Sequence, residues 1–379
     1  MRLLVVGHSY VTPFAQAKYV AMKALCRNIE LRLVVPRVVR HVFAEYRPTL
    51  APGLAPEDLV VVPSWGGTSN MTYVMDPISI ARLILRFRPT HVHIEEDPHS
   101  VVGFEAAVLA TTLCPKAALS YFLWDNLNRT PSWPLGAIKR ALTRFGMSRA
   151  RLVVCGNRDA QRLLAAKGYH GASEVIPQIG LDVLPPADHG EGGVHRPTSD
   201  TTIGFFGRMV EEKGVLDLLT ALKGLIDRRW RLIMAGDGPL RREIEDTWRP
   251  QFGDRMTLLG PLSHAEVQEH LLGVDVFVLP SYSIPVWKEQ FGITLVQAMF
   301  AGCACIGSTC GAIPDVLDGR GEVFPEHDVE ALTAALRRLI DAPTERAQLG
   351  AAASEFAISR YSNEAIARTY LQAFEAIAN

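Results

Sequence analysis

Short runs of consecutive apolar residues recur along the chain, each closed by a Gly or polar turn and followed by a helix-length segment. The first series predicts strands at residues 3–6, 31–35, 59–62, 91–94, 117–122 and 152–155. Between them, segments 15–26, 78–86 and 101–113 have the length of helices. Runs with no polar position belong to strands buried on both faces, and alternation with helices makes the sheet parallel. The stretch 185–200 (PPADHGEGGVHRPTSD) has no hydrophobic period and is rich in Pro, Gly and charge, the composition of a linker. The alternation then restarts, with strands predicted at 203–206, 232–235, 256–259, 276–279 and 304–307, and helical periodicity in the tail, 363–377.

The expected fold is α/β, two Rossmann-like, doubly wound domains facing each other across a cleft where their strand C-termini meet. The expected organisation is a first domain at 1–185, a linker at 186–200, a second domain at 201–360, and a C-terminal helix at 361–379 that can pack back on the first domain. A chain of 379 residues is long for one core, which agrees with two domains.

Composition adds exclusions. With 48% apolar and 21% charged residues the chain is an ordinary globular protein. The net charge of −1 argues against a nucleic-acid partner, yet residues 1–185 hold 21 Lys+Arg against 13 Asp+Glu, and the remainder 18 against 27. A basic first half thus precedes an acidic second half, so different partners for the two are expected. The six cysteines form no C-x-x-C pair, which points to free thiols in a reducing compartment rather than zinc. The first apolar run is too short for a signal-peptide core and no later run reaches a membrane span, so a cytoplasmic location is expected.

Paired Rossmann-like domains serve dehydrogenases, phosphorylases, epimerases and sugar transferases alike, so local residues must decide the chemistry. Four features cluster in the second half. Gly207-Arg208-Met209-Val210-Glu211-Glu212-Lys213-Gly214 follows a strand, placing Arg208 and Lys213 where two cations can hold a diphosphate. Gly236-Asp237-Gly238-Pro239-Leu240 ends another strand with glycines that admit close backbone approach. Leu258 to Leu262, through Gly260-Pro261, ends a third and offers backbone to a nucleobase edge. Lys288-Glu289-Gln290-Phe291-Gly292-Ile293 leads into a helix whose first N–H groups can take an anion or hydroxyl, with Gln297 between one and two turns further on. Three of them also have a plain structural reading: solvated cations, a tight turn, a glutamate compensating a helix dipole.

Together, in order and spacing, these features resemble the retaining glycosyltransferases of family 4, of GT-B fold: G-R-x-x-x-x-K-G, G-x-G-P-L, an L-P-S strand end at Leu279-Pro280-Ser281, and a Glu-x7-Glu element. The resemblance runs through the whole second domain and more loosely through the first. It implies that Arg208 and Lys213 grip the donor diphosphate and Glu289 hydrogen-bonds the transferring sugar. It also implies that the donor is cradled by Gly7, Gly207, Gly236, Gly238, Leu262, Gln290, Phe291, Gly292 and Ile293, and that no catalytic metal is used. The family's second glutamate binds the ribose, and here that position is Gln297. Glutamine keeps an acceptor oxygen but loses charge assistance, a cost of about 1–2 kcal/mol, or about tenfold in donor binding.

The first domain matches the family only in part. Gly7-His8-Ser9-Tyr10 follows the first strand with one glycine where the family has a glycine-rich loop. Ser9, His93 and Asp125 are the candidate acceptor or sugar contacts. The run His91 to His99, with Glu95, Glu96 and Asp97, invites a metal or acid–base reading. The alternative is that Asp97 and the residues after it cap the following helix.

The resemblance implies transfer of a sugar, with retained configuration, from a nucleotide-sugar co-substrate (UDP- or GDP-linked) to a hydroxyl of a glycan, lipid-linked or small-molecule acceptor, with no resident cofactor. The departing diphosphate itself takes the acceptor's proton. The segment from Trp133 to Phe145 mixes basic and apolar residues, a pattern suited to the anionic inner face of a membrane as well as to a solvated helix. Two competing readings are a nucleotide-sugar epimerase on the same fold and a non-catalytic scaffold; only Gln297 favours the latter.

Overall fold

The computed structural model describes residues 1–40, 45–66, 73–128, 134–182 and 200–378. They divide into two compact units, Met1–Leu181 with Asn363–Asn379, and Asp182–Ser362. The predicted linker, 186–200, lies outside the described residues apart from Asp200.

Unit 1 is built on strands β1 (Arg2–Val6), β2 (Glu30–Pro36), β3 (Leu59–Val62), β4 (His91–Ile94), β5 (Ala118–Leu123), β6 (Leu152–Cys155) and β7 (Ala172–Val175). They form one parallel sheet in the order β7-β6-β5-β4-β1-β2-β3, with Leu3 opposite Leu31 on one side and His91 on the other. The helices are α1 (Pro13–Leu25), α2 (Pro77–Phe87), α3 (Val101–Leu113), α4 (Leu135–Met147) and α5 (Arg158–Ala166). Side chains alternate across a strand, so Leu3 and Val5 pack with Tyr19 and Met22 of α1, while Leu4 and Val6 pack with Ile80 and Ile84 of α2 and Ala106 of α3. Both faces are covered, which is why β1 tolerates no polar residue after Arg2.

Helix starts are specified locally. Thr12, Asp76 and Ser100 accept hydrogen bonds from the first turns of α1, α2 and α3, and Pro13 and Pro77 occupy the first helical positions of the first two. Each such cap contributes about 1 kcal/mol.

Unit 2 repeats the plan with β8 (Thr201–Phe206), α6 (Val215–Lys223), β9 (Trp230–Ala235), β10 (Met256–Leu259), α7 (His264–Leu271), β11 (Val276–Leu279), α8 (Ile293–Phe300), β12 (Ala304–Ser308), α9 (Ile313–Leu317), β13 (Glu322–Phe324), α10 (Val329–Asp341) and α11 (Pro343–Tyr361). Its parallel sheet runs β10-β9-β8-β11-β12-β13. The edge strands β7 and β13 are absent from the sequence prediction because an edge is half-exposed: Ala-Ser-Glu-Val and Glu-Val-Phe contain no long apolar run.

The last helix, α12 (Asn363–Ala376), is part of unit 1. Ile366, Tyr370 and Phe374, four residues apart, bury one stripe in the same core as α1. His91 Nε2 hydrogen-bonds the Phe374 carbonyl at 2.9 Å, and Arg151 donates to the Ile377 carbonyl at 3.1 Å.

Candidate functional site

In unit 2 the sequence motifs collect at the C-terminal edge of the sheet, the edge where doubly wound folds bind ligands. The loop after β8 is locked to the loop after β9: Met209 N–H donates to the Asp237 carbonyl at 2.9 Å and Leu240 N–H to the Met209 carbonyl at 3.0 Å. Gly236 has φ of 130°, and a Cβ there would lie 2.0 Å from the Gly207 carbonyl oxygen; at Gly238, with φ of 158°, it would lie 2.4 Å from that of Met209. Only glycine allows these two loops to interlock. Arg241 extends the lock to the third loop by donating to the Gly236 and Leu259 carbonyls, both at 3.0 Å. Leu262, on that third loop, is half-buried.

This scaffold presents two cations differently. The Arg208 side chain is 60% exposed and approaches Glu212 at 3.6 Å. Lys213 is largely covered; its Nζ donates to Glu289 Oε2 at 2.6 Å and sits 4.8 Å from the centre of the Trp287 ring. Ser281 Oγ donates to the same carboxylate oxygen at 3.3 Å, and the Glu289 carbonyl accepts from Ala312 N–H at 3.0 Å. Glu289 is thereby fixed at both ends. Gly292 begins α8 in the left-handed region (φ 77°), and the first N–H groups of the helix, from Ile293 onward, have no carbonyl within it. Gln290 is exposed, whereas the Phe291 ring is buried edge-on against Tyr361, so Phe291 has only its backbone to offer a ligand.

Gln297 departs from its expected place. Its side chain is buried, and its amide donates to the His264 carbonyl at 3.1 Å. The structure therefore gives it a contact that ties α8 to the start of α7, where a ribose contact was expected.

Unit 1 gathers a second group at the C-terminal edge of its own sheet. Gly7 and the short turn His8–Val11, carrying the half-buried Ser9, follow β1. Asp125 follows β5, half-buried and 3.8 Å from Lys167. His93, expected as an acceptor or sugar contact, is instead fully buried inside β4: Nδ1 pairs with Ser120 Oγ at 2.8 Å, and its ring packs against Tyr370 and Phe374 of α12. Its position within a strand covered on both faces is the reason. The capping expected of Asp97 and the residues after it falls to Ser100, which caps α3, while the Asp97 carbonyl accepts from Ser100 N–H and Oγ. The Asp97 carboxyl is pushed up to about 6, first by burial and then by the charges of Asp125 and Glu96.

Sequence reasoning missed a buried network beneath this edge. Glu95 accepts from Lys18 Nζ at 2.8 Å, Tyr19 Oη at 2.7 Å and Gln178 Nε2 at 2.8 Å, and His93 Nε2 approaches it at 3.3 Å. Tyr10, Tyr19 and Tyr370 surround the ammonium, their ring centres 4.3–5.2 Å away. Burial would raise the Glu95 carboxyl, but Lys18 and His93 hold it well below the usual carboxylate range. A signal was present: Lys18 interrupts the stripe Ala15, Tyr19, Met22, and a lysine within an apolar stripe requires a buried partner.

No group of three His, Cys, Asp or Glu among the described residues is arranged to hold a metal ion. A cavity of about 230 Å³ near the opposite edge of the unit 1 sheet, lined by Ala117, Leu119, Arg149 and Arg151 among others, touches none of the candidate residues.

Residues 200–342 match the family described as Glycosyl transferases group 1. The chain is 32% identical over 190 residues to a phosphatidyl-myo-inositol mannosyltransferase of Mycolicibacterium smegmatis, covering 48% of this chain and 47% of that protein. It is 27% identical over 327 residues to a GDP-mannose-dependent monoacylated alpha-(1-6)-phosphatidylinositol monomannoside mannosyltransferase of Corynebacterium glutamicum, covering 78% of this chain and 84% of that one. Thus the chain spans about half the length of the first relative and most of the second. Among solved structures, HepE of Anabaena in complex with UDP superimposes with a TM-score of 0.71 at 16% identity, covering 99% of this chain and 100% of that one. That likeness, with two doubly wound parallel sheets, shows the GT-B fold.

Proposed function

We propose that this GT-B glycosyltransferase moves a sugar from a nucleotide-sugar donor to an acceptor hydroxyl in glycan or glycolipid biosynthesis, with retained anomeric configuration and no catalytic metal. The observation that carries the reading is the Lys213–Glu289 pair beside the exposed Arg208, on loops inside the segment that matches the glycosyltransferase family. Arg208 and Lys213 supply positive charge for a diphosphate whose negative charge grows as it leaves, the α8 N-terminus adds backbone donors, and Glu289 holds a hydroxyl of the transferring sugar. Lys213 exchanges part of its bond to Glu289 for the diphosphate when the donor arrives. The proton of the acceptor hydroxyl passes to the departing diphosphate, so the protein contributes position and electrostatics rather than a strong base.

A UDP- or GDP-linked donor is supported by the UDP complex of HepE and the GDP-mannose dependence of the Corynebacterium relative. A lipid-linked acceptor is supported by the phosphatidylinositol-based names of both relatives. No helix among the described residues is long and apolar enough to cross a membrane. Helix α4 leaves Leu135 and Ile138 more than half exposed beside Lys139, Arg140 and Arg144, which suits contact with an anionic membrane surface at the cytoplasmic face. Trp133, at the start of the basic segment, lies outside the described residues.

The test is a thermal-shift screen with UDP-glucose, GDP-mannose and ADP-glucose in the presence of EDTA. One nucleotide class is expected to raise the melting temperature, and Arg208→Ala to weaken that donor by about 10- to 100-fold, the worth of one charged hydrogen-bonding group. No shift with any donor rejects the reading. The anomeric configuration of the product, read by NMR, decides retention.

A further inference from the structure

The roles proposed so far leave the acceptor without a contact to the protein. In unit 1 the turn after β1 packs directly on the residues that follow β4: a Cβ at Gly7 would lie 3.1 Å from the Cβ of Glu95. This close approach sets His8 against Glu96. The backbone N–H of His8 and its ring Nδ1 both meet Glu96 Oε1 at 2.7 Å, and the Tyr73 hydroxyl donates to the same oxygen. The Tyr73 ring also meets the imidazole edge-on, with centroids 5.9 Å apart. Three donors on one carboxylate oxygen, with Glu95 anchored in its own network, leave the imidazole little freedom.

The chemistry of this pair is directional. A carboxylate only accepts, so Nδ1 carries the ring proton and the neutral imidazole keeps its lone pair on Nε2. Among the described residues no hydrogen bond engages Nε2. The Glu96 side chain is 1% exposed while that of His8 is 17% exposed, so the orienting carboxylate is buried and the histidine reaches the surface. A base held by a buried carboxylate beside a ligand edge is the arrangement used to address a hydroxyl.

We propose that His8, oriented by Glu96 and Tyr73, contacts the acceptor, its Nε2 accepting a hydrogen bond from an acceptor hydroxyl other than the one that attacks. This rests on the glycosyltransferase reading. In the transfer the attacking hydroxyl's oxygen bonds to the anomeric carbon, the bond from that carbon to the diphosphate breaks, and the attacking hydroxyl's proton leaves on the diphosphate. The histidine fixes the orientation of the acceptor before that step. Only the neutral ring can do so, because protonated Nε2 donates. Burial lowers the pKa of His8, but Glu96, with Asp97 and Glu95 behind it, outweighs burial and raises it above the ordinary histidine value. Among the described residues, those three carboxylates and the Tyr73 phenol are the groups facing the ring. Transfer therefore falls as pH falls through that raised value.

The experiment compares wild type, His8→Ala and Glu96→Gln with the donor found by thermal shift. Transfer is measured to whichever of myo-inositol, methyl α-mannoside and phosphatidylinositol vesicles the wild type glycosylates. His8→Ala is expected to lose about 10- to 100-fold in transfer, with donor Kd changed by less than about twofold. Glu96→Gln is expected to move the acid limb of transfer to lower pH, a displacement that a merely structural defect does not produce. A third measurement needs no acceptor: NMR of ¹⁵N-histidine-labelled wild type should show His8 unprotonated at Nε2 above a raised pKa. Wild-type transfer rates in His8→Ala, loss of donor binding in parallel with transfer, or an Nε2–H tautomer each overturn the proposal. A wild type that binds no nucleotide-sugar removes the transferase reading, and the role of His8 with it.

Discussion

Replacing Lys18 with Met isolates the energetics of the buried network in unit 1. Lys18 and Glu95 are both fully covered, and the ammonium is one of three donors that satisfy the carboxylate. Methionine fills much of the volume but leaves Glu95 buried with its charge uncompensated. Breaking a buried pair from one side costs about 3–5 kcal/mol, because the remaining ion keeps its desolvation penalty. His93, 3.3 Å away and held neutral by burial, can take a proton once Lys18 is gone, which places the expected loss near the lower end. For a unit of this size each kcal/mol is worth about 2–4 °C, so the unit 1 transition should fall by about 6–12 °C or somewhat more.

The pH dependence carries the sign. In the wild type the Glu95 carboxyl lies below the ordinary range, so its stabilising contribution is present at neutral pH and lost only as pH falls through that depressed value. In Lys18→Met burial acts without the lysine, the carboxyl moves above its ordinary value, and stability is lost as pH rises through it. Urea denaturation followed by circular dichroism, at several pH values from 4 to 8, measures both. The gap between variant and wild type should narrow toward pH 4, and Lys18→Met/Glu95→Gln should recover more than half of the loss at pH 7. A single variant within about 1 kcal/mol of wild type, or a double variant no better than the single, refutes the argument.

Two further outcomes follow from other buried groups. Gln297→Glu installs the glutamate that the resemblance implies at this position but sets a carboxylate against the His264 carbonyl that now accepts the amide proton; differential scanning fluorimetry should show a loss of about 1–3 kcal/mol without donor. Asp97→Asn removes a carboxyl raised to about 6, a group whose ionisation weakens the fold as pH rises between the unfolded and folded values. The variant should gain about 1–3 kcal/mol at pH 8, and the gain should vanish below pH 4 in acid-to-base melts.

Much of the candidate site in unit 2 was legible because its elements are contiguous: a strand, a glycine turn and the start of a helix lie within about a dozen residues of one another. The interlocking of Gly236 and Gly238 with the loop of Gly207 to Met209 explains why those glycines occur at strand ends. His93 was misread because the helix whose Tyr370 and Phe374 cover its ring, α12, comes from the far end of the chain. The direction of Gln297 was not legible: its spacing from Glu289 was visible, but its bond to the His264 carbonyl depends on where α7 begins.

The sequence by itself determined two doubly wound parallel sheets, because apolar runs alternating with helices, caps and glycine turns are local signals read over fewer than twenty residues. Only the tertiary structure decided which side chains meet. Lys213 reaches Glu289 across 76 positions and His8 reaches Glu96 across 88. The physical reason is strand order: in a parallel sheet the C-termini of neighbouring strands come together however far apart they lie in sequence, and chemistry at that edge depends on the neighbours.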